Sequence, residues 1–320
     1  IVNYFNIYSN SFKSVNIIAN RYNTPSSYLD INNNLIIPSG IDSFISEVVS
    51  KQFAVSNEDF NSINYLNDRK NRLTSNNLII GSSFSFSNKS RKNMYDNEFS
   101  EFKLKIELAG NLTNLTSNLL NVSKDEFGKN KVLGLTYSQF LKTETGYIKH
   151  WPIGLNSIIA FRSFFGIAIP FGNSNNIPFS KSFFAGGSND NRAWEVYRLG
   201  PGSSEALSEF NEANMKIAMN IEYRFKILGK LDGALFTDIG NIWNVFDDTK
   251  DSKRTFSSLR DLDEIAIGSG IGLRYNIGYF VLRLDMGLKT YNPVLETNKR
   301  WLTDFNLKKA VFNIGLNYPF

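Results

Sequence analysis

Between Lys181 and Gly202 the chain reads KSFFAGGSNDNRAWEVYRLGPG. Arg192 stands between Gly186-Gly187 and a Leu-Gly-Pro-Gly run, with Trp194 and Tyr197 close behind it. A glycine loop that cradles phosphate needs a strand before it and a helix N-terminus directly after it. Here aromatics follow, then Leu199-Gly200-Pro201-Gly202, which stops a helix, and neither the Walker nor the dinucleotide spacing is present. Acid–base chemistry has little to draw on. His150, the one histidine, sits beside Trp151 at the end of a strand-like stretch and reads as an interfacial side chain. No serine has a base at a recognisable spacing, and the carboxylates are scattered. With no cysteine there is neither a disulfide nor a thiolate metal site. The expectation is therefore a protein that is not an enzyme and has no catalytic residue, metal or cofactor, so the arginine segment reads as structural.

The elements that would position it are strands. In NMKIAMNIEYRF, Met215, Ile217, Met219, Ile221, Tyr223 and Phe225 alternate with Lys216, Ala218, Asn220, Glu222 and Arg224. Phe102, Leu104, Ile106 and Leu108 alternate with Lys103, Lys105 and Glu107. Phe280, Leu282, Leu284, Met286 and Leu288 alternate with Arg283, Asp285 and Lys289. A period of two marks strands. Further strands are expected near 77–87, 131–149, 156–170, 230–243, 264–277 and 310–320, and weaker ones near 1–10 and 12–21. That makes about eleven, several reaching the roughly 9–11 residues of a tilted membrane strand. Full charges stand mid-strand at Lys105, Glu222, Arg224 and Arg283, which a wet lumen tolerates. Short turns (HWPIGL, YNIGYF) alternate with long polar loops at 22–75, 110–130, 171–213 and 244–263, the plan of an outer-membrane barrel.

No run of eighteen apolar residues occurs, so no transmembrane helix is expected. Aromatics at 14% suit strands and membrane girdles. The net charge of +5 is spread without a basic stripe, so no nucleic-acid partner is expected. Ile41, Phe44, Ile45 and Val48 fall at i, i+3, i+4 and i+7 and predict a short amphipathic helix packed on the barrel rim. The chain starts at Ile1 without methionine or signal peptide and reads as a piece of a longer protein.

FFAGGSNDNRAW followed by LGPG resembles the sixth extracellular loop of the BamA/TamA assembly-barrel superfamily, the bacterial surface-antigen family. GALFTDIGNIW, Gly233 to Trp243, resembles that family's next-but-one strand, and AIGSGIGLRYNIGYFVLRLDMG the strand pair after it. Together they cover about the last 165 residues in the family's order. The family's usual tip is Arg-Gly-aromatic. The Arg192-Ala193-Trp194 found here, with Leu-Gly-Pro-Gly after it, is closer to the TamA-like lipoprotein branch, TamL. The resemblance implies an all-β, antiparallel transmembrane barrel of sixteen strands, of which this chain holds the C-terminal part. Residues 1–320 would be one barrel domain lacking its first strands and upstream POTRA repeats, with 171–213 folded into the lumen. It also implies a loop anchor of Gly186, Gly187, Arg192 and Trp194 against Glu222, Phe236 and Asp238. Alternation agrees, since it puts Phe236 and Asp238 on one face and Glu222 on the polar face of the preceding strand.

The chain closes on NIGLNYPF, where Asn313, Gly315, Tyr318 and Phe320 match the outer-membrane β-signal. The expected function is an outer-membrane assembly or translocation barrel that inserts or exports other proteins through a lateral seam. Its partners would be outer-membrane lipids, client outer-membrane proteins and periplasmic or inner-membrane accessory subunits, in a Gram-negative bacterium. The alternative is a passive pore or receptor barrel.

Overall fold

Alternation with a period of two yields one large antiparallel sheet in this chain. The computed structural model describes residues 15–316 apart from 75, 94–95, 121, 126–127, 206–210, 250 and 279. In chain order the strands are β1 (Asn77–Leu78), β2 (Gly81–Lys89), β3 (Phe99–Ala109), β4 (Lys131–Val132), β5 (Leu135–Tyr137) and β6 (Phe140–Pro152). They continue with β7 (Ser157–Pro170), β8 (Met215–Leu228), β9 (Leu231–Trp243), β10 (Ala266–Asn276), β11 (Val281–Tyr291) and β12 (Val311–Leu316). Nine form the sheet β12-β11-β10-β9-β8-β7-β6-β3-β2, and β1, β5 and β4 form a small second one. Sequence neighbours are sheet neighbours throughout the large sheet, which makes it a meander. Its connections alternate in length. Residues 90–98, 153–156, 229–230 and 277–280 turn at one end, and 110–139, 171–214, 244–265 and 292–310 form long loops at the other.

The polarity of this sheet is the reverse of a soluble one. On β8, Met219, Ile221 and Tyr223 are 37%, 45% and 38% exposed, while Glu222 and Arg224 on the other face are 0% and 6% exposed. The same holds for exposed Leu282 and Leu284 beside buried Arg283 and Asp285, and for exposed Leu235 beside buried Asp238. Phe102 and Ile106 on β3 are also exposed, and Leu104 is half-buried. Among the described residues no second sheet packs on this apolar face, as one would in a sandwich. A face of this kind suits lipid. Met215 and Ile217 differ from their exposed neighbours on this face. Met215 is buried with Trp243 and Val245, and Ile217, Phe256 and Ile265 pack on that cluster. The 244–265 loop thus covers the apolar face near the long-loop end.

The chain divides into two compact units, one ending at Asn76 and one beginning at Asn77. The single all-β domain expected over 1–320 has to be amended accordingly. The first unit is helical. Residues 15–19 are helical, not a strand over 12–21. Val15, Ile18 and Ala19 are buried at i, i+3 and i+4, the period of a helix. The other expected weak strand, 1–10, lies outside the described residues. Residues 22–75 are not one polar loop but hold the helices Ser39–Val49 and Asn57–Thr74. Ile41, Phe44, Ile45 and Val48 of the first helix meet Ile63 and Leu66 of the second in one core. Ser56 starts the second helix by accepting from the Asp59 amide at 3.1 Å. Asp59 in turn receives Arg21 Nη1 at 3.1 Å and the Tyr22 hydroxyl at 2.6 Å. The long loops are also less irregular than expected: 110–130 contains the helix Asn111–Leu120. The strand expected over 131–149 is split into β4, β5 and the start of β6. Among the described residues no helix is long and apolar enough to cross a membrane.

Candidate functional site: an arginine loop on the polar face

Nearest the long loops, the polar face of the sheet is not polar. Ala109, Phe140, Ala168, Ile242 and Ala266 point there, and Ile177, Phe183, Trp194 and Leu199 of the 171–214 loop pack onto them in one buried cluster. Small strand residues leave the depth that the loop's large ones fill. Gly166 is an instance, since a Cβ there would come within 2.5 Å of the Phe183 ring. Lys142 lies over that ring at 4.2 Å and donates to the Lys181 carbonyl at 2.9 Å. Lys181 pairs with Glu107 on β3.

The loop's tip closes on itself. Gly186 and Gly187 take φ of 93° and 96°, values that favour glycine. The Gly187 amide donates to the Trp194 carbonyl at 2.8 Å, and the Gly186 amide to Asp190 Oδ2 at 2.7 Å. Asp190 is itself paired with Lys216 at 2.9 Å. This turn presents Arg192, 1% exposed, to the sheet. Its Nε and Nη2 each lie 2.8 Å from one oxygen of Asp238, and its own amide donates to Asp238 Oδ2 at 2.9 Å. Nη1 reaches Glu222 Oε2 at 2.5 Å. The Phe236 ring lies 3.5 Å from the guanidinium carbon. A forked guanidinium–carboxylate pair backed by an aromatic face is the geometry in which arginine surpasses lysine. Burial opposes the charged form of Arg192, but Asp238 first, then Glu222 and Asp285, outweigh it and raise its pKa above the ordinary arginine value.

The site is larger than these four residues. Glu222 Oε1 also receives Arg224 Nε at 2.8 Å and Arg274 Nε at 3.2 Å. Arg274 Nη1 lies 2.5 Å from Asp285 Oδ1, and Arg283 Nε lies 3.1 Å from Asp285 Oδ2. Asn220 donates to Asp238 Oδ1 at 2.9 Å and to the Asp190 carbonyl at 2.7 Å. Four arginines and three carboxylates thus share one buried network across β8, β9, β10, β11 and the loop tip. Glycines make room for it. A Cβ on Gly287 would lie 2.6 Å from the Arg192 carbonyl carbon, and one on Gly268 would lie 2.5 Å from the Ala193 methyl. Ala193, where the resemblance leads one to expect glycine, therefore fits because Gly268 stands opposite it.

Trp194 is buried in the loop cluster, with Lys289 Nζ 5.3 Å from its ring. Asn313 on β12 points into the same face and donates to the Arg192 carbonyl at 2.9 Å. Gly315 is paired with Arg283, and a Cβ there would lie 2.8 Å from Arg283 Nη2, so its lack of a side chain houses a guanidinium. Tyr318 and Phe320 lie outside the described residues. His150 is not interfacial: its ring is buried, 4.3 Å from that of Phe99 to which it is paired. Lys103 and Lys105 share the polar face and pair with Glu101 at 2.8 Å and Glu107 at 4.0 Å. Arg274, Asp285 and Asn220 were not singled out from sequence. Their mid-strand charge or amide on the polar face was the available signal. Among the described residues no group of side chains could hold a metal ion.

A meander with apolar residues exposed on one face, charges buried on the other and an arginine loop laid on the charged face is the pattern of an outer-membrane type of sheet. The model of the Omp85 superfamily domain matches residues 43–316. The chain belongs to the Omp85 superfamily, a family of outer-membrane insertion and translocation proteins. Among solved structures it is similar to BamA from Haemophilus ducreyi lacking POTRA domains 1–3. The TM-score is 0.41 and the identity 13%, over 74% of this chain and 53% of that one. The chain thus spans about half the length of that solved structure. No curated protein sequence matches it.

Proposed function

We propose that this chain is the C-terminal part of a closed outer-membrane barrel that inserts or exports other outer-membrane or surface proteins through a lateral seam. The observation that carries this reading is the match to the Omp85 superfamily domain over residues 43–316, together with Gly315 inside the terminal strand, which offers no side chain to a neighbouring strand. A strand edge that pairs weakly is a template for another strand. The work is mechanical, with no covalent step: the seam's weak pairing lowers the barrier for a client strand to add. The barrel has sixteen strands, its first ones and the POTRA repeats come from outside this chain, and the 171–213 loop lies in its lumen. The Arg-Ala-Trp tip favours the TamL branch. The protein sits in the outer membrane of a Gram-negative bacterium, in contact with lipid, client barrels and accessory subunits.

A passive pore or receptor is the second reading. The loop filling the polar face beside β8–β11 speaks against an open pore. The test is a cysteine pair across the first and last strands of the full-length protein; this chain contributes no native cysteine. Oxidation is expected to abolish client insertion and reduction to restore it. Full activity with the seam locked would leave the pore or receptor reading.

A further inference from the structure

We infer that the loop tip holds the terminal strand in place, and that Asn313 is the positioning residue through which it does so. On the polar face β12 offers little to bind. Gly315 lacks a side chain, and among the described residues Asn313, nine-tenths buried, is its one polar group there. That amide donates to the main-chain carbonyl of Arg192 at 2.9 Å. The carbonyl lies in the space left by Gly287, which is paired with Val311 at the start of β12. One strand back, Arg283 Nη2 donates to the Ser188 carbonyl at 2.8 Å and to Asn189 Oδ1 at 3.0 Å, while its guanidinium covers Gly315. The tip therefore holds the β11–β12 ladder at two points on its polar face, through Asn313 on β12 and through Arg283 on β11.

The path has a definite direction. Asp238 lies on β9, separated from β12 by the two strands β10 and β11, and bonds the amide and guanidinium of Arg192. Asn313 bonds the carbonyl of that same residue. Seating of the arginine on β8–β9 is thereby transmitted to the sheet edge through one residue, and lifting the loop removes a constraint from β12. These contacts do not depend on the function proposed above. Their consequence, that the seam loosens when the loop lifts, rests on the function proposed above.

Amide hydrogen exchange on the full-length protein in lipid nanodiscs tests this. Asn313→Leu keeps the size and loses the donor. Exchange over 311–316 is expected to rise about five- to tenfold, the effect of one buried hydrogen bond. Residues 186–194 are expected to stay protected, because Asp238 and Glu222 still hold Arg192. Asn313→Gln keeps a donor and is expected to restore protection to within about twofold. In an Asp238→Asn background, where the tip is already loose, Asn313→Leu is expected to add less than about twofold, the non-additivity of a coupled pair. Unchanged exchange over 311–316 in N313L, equal exchange in N313Q and N313L, or full multiplication of the D238N and N313L effects would each overturn the inference. If D238N does not fold, the comparison of N313L with N313Q decides. Coupling observed in a protein whose locked seam stays active would keep the latch and remove the translocation reading. No coupling in a protein inactivated by seam locking would do the reverse.

Discussion

Asp238→Asn should release the loop tip while leaving the sheet intact. Asp238 accepts four donors: the Arg192 amide and Nε on Oδ2, and Arg192 Nη2 and Asn220 Nδ2 on Oδ1. Asparagine keeps the shape but only one acceptor oxygen, so two of the four donors face an NH2 group. The buried network goes from four cations and three anions to four and two. Breaking one partner of a buried pair costs about 3–5 kcal/mol. The lower end applies here, because Glu222 at 2.5 Å and the Arg283 and Asn220 contacts remain. At about 1.4 kcal/mol per factor of ten, 3 kcal/mol makes tip opening roughly 150-fold more frequent. Hydrogen exchange over 186–194 reads this directly, and β2–β3 amides serve as the internal reference. Exchange at the tip within about threefold of the parent would refute the reasoning. So would uniform acceleration across the sheet, which would make Asp238 a residue of global stability, not of loop seating.

Two further substitutions separate the loop from the membrane face. Gly287→Ala places a methyl against the Arg192–Ala193 backbone, which has no rotamer with which to yield, and should cost about 1–3 kcal/mol in urea unfolding from vesicles. Gly146→Ala, whose nearest neighbours lie 4.0 Å away, should stay within about 0.5 kcal/mol, and equal costs would remove the steric argument. On the apolar face, Ile221→Lys at mid-strand should cost about 2–4 kcal/mol in the same assay if it lies near the bilayer midplane. Ile217→Lys, nearer the loop-covered end beside Met215 and Trp243, should cost less. The opposite order would contradict the assignment of that face to lipid.

Much of the strand pattern and part of the site could be read from sequence, for a physical reason. A period of two assigns each residue a face without knowledge of its neighbours. Glu222, Phe236 and Asp238 could thus be placed on the polar face, and the structure sets all three around Arg192. What alternation cannot supply is register. Asn313 and Arg192 are 121 positions apart, and their contact depends on the order of β9 to β12 and on a loop crossing that face. Ala193 and Gly268 are complementary in the same way, and neither residue alone announces the other. His150 was misplaced because its parity follows from pairing with Phe99, not from the neighbouring Trp151. Of the helical unit, the Ser39–Val49 helix could be read from its period, but the Asn57–Thr74 helix was missed because it is mostly polar and buries Ile63 and Leu66 on a narrow stripe.

The chemistry of the loop's two halves differs in a way that matters for a part that has to move. Its upper half rests on Ile177, Phe183, Trp194 and Leu199, whose removal from the sheet would expose apolar surface on both partners at about 25 cal/mol per Å². Its tip rests on charges and amides. A buried ionic network adds little net stability over apolar packing of the same volume, because desolvation offsets most of its attraction. When such a contact opens into a polar, water-accessible face, water returns that desolvation energy to Arg192, Asp238 and Glu222. The tip is therefore the half that can unseat and reseat at low cost, with the forked pair fixing its register on return. Asn313 is attached to that half, not to the apolar one. A terminal strand tied to the reversible end of the loop is held when the tip is seated and freed when it is not.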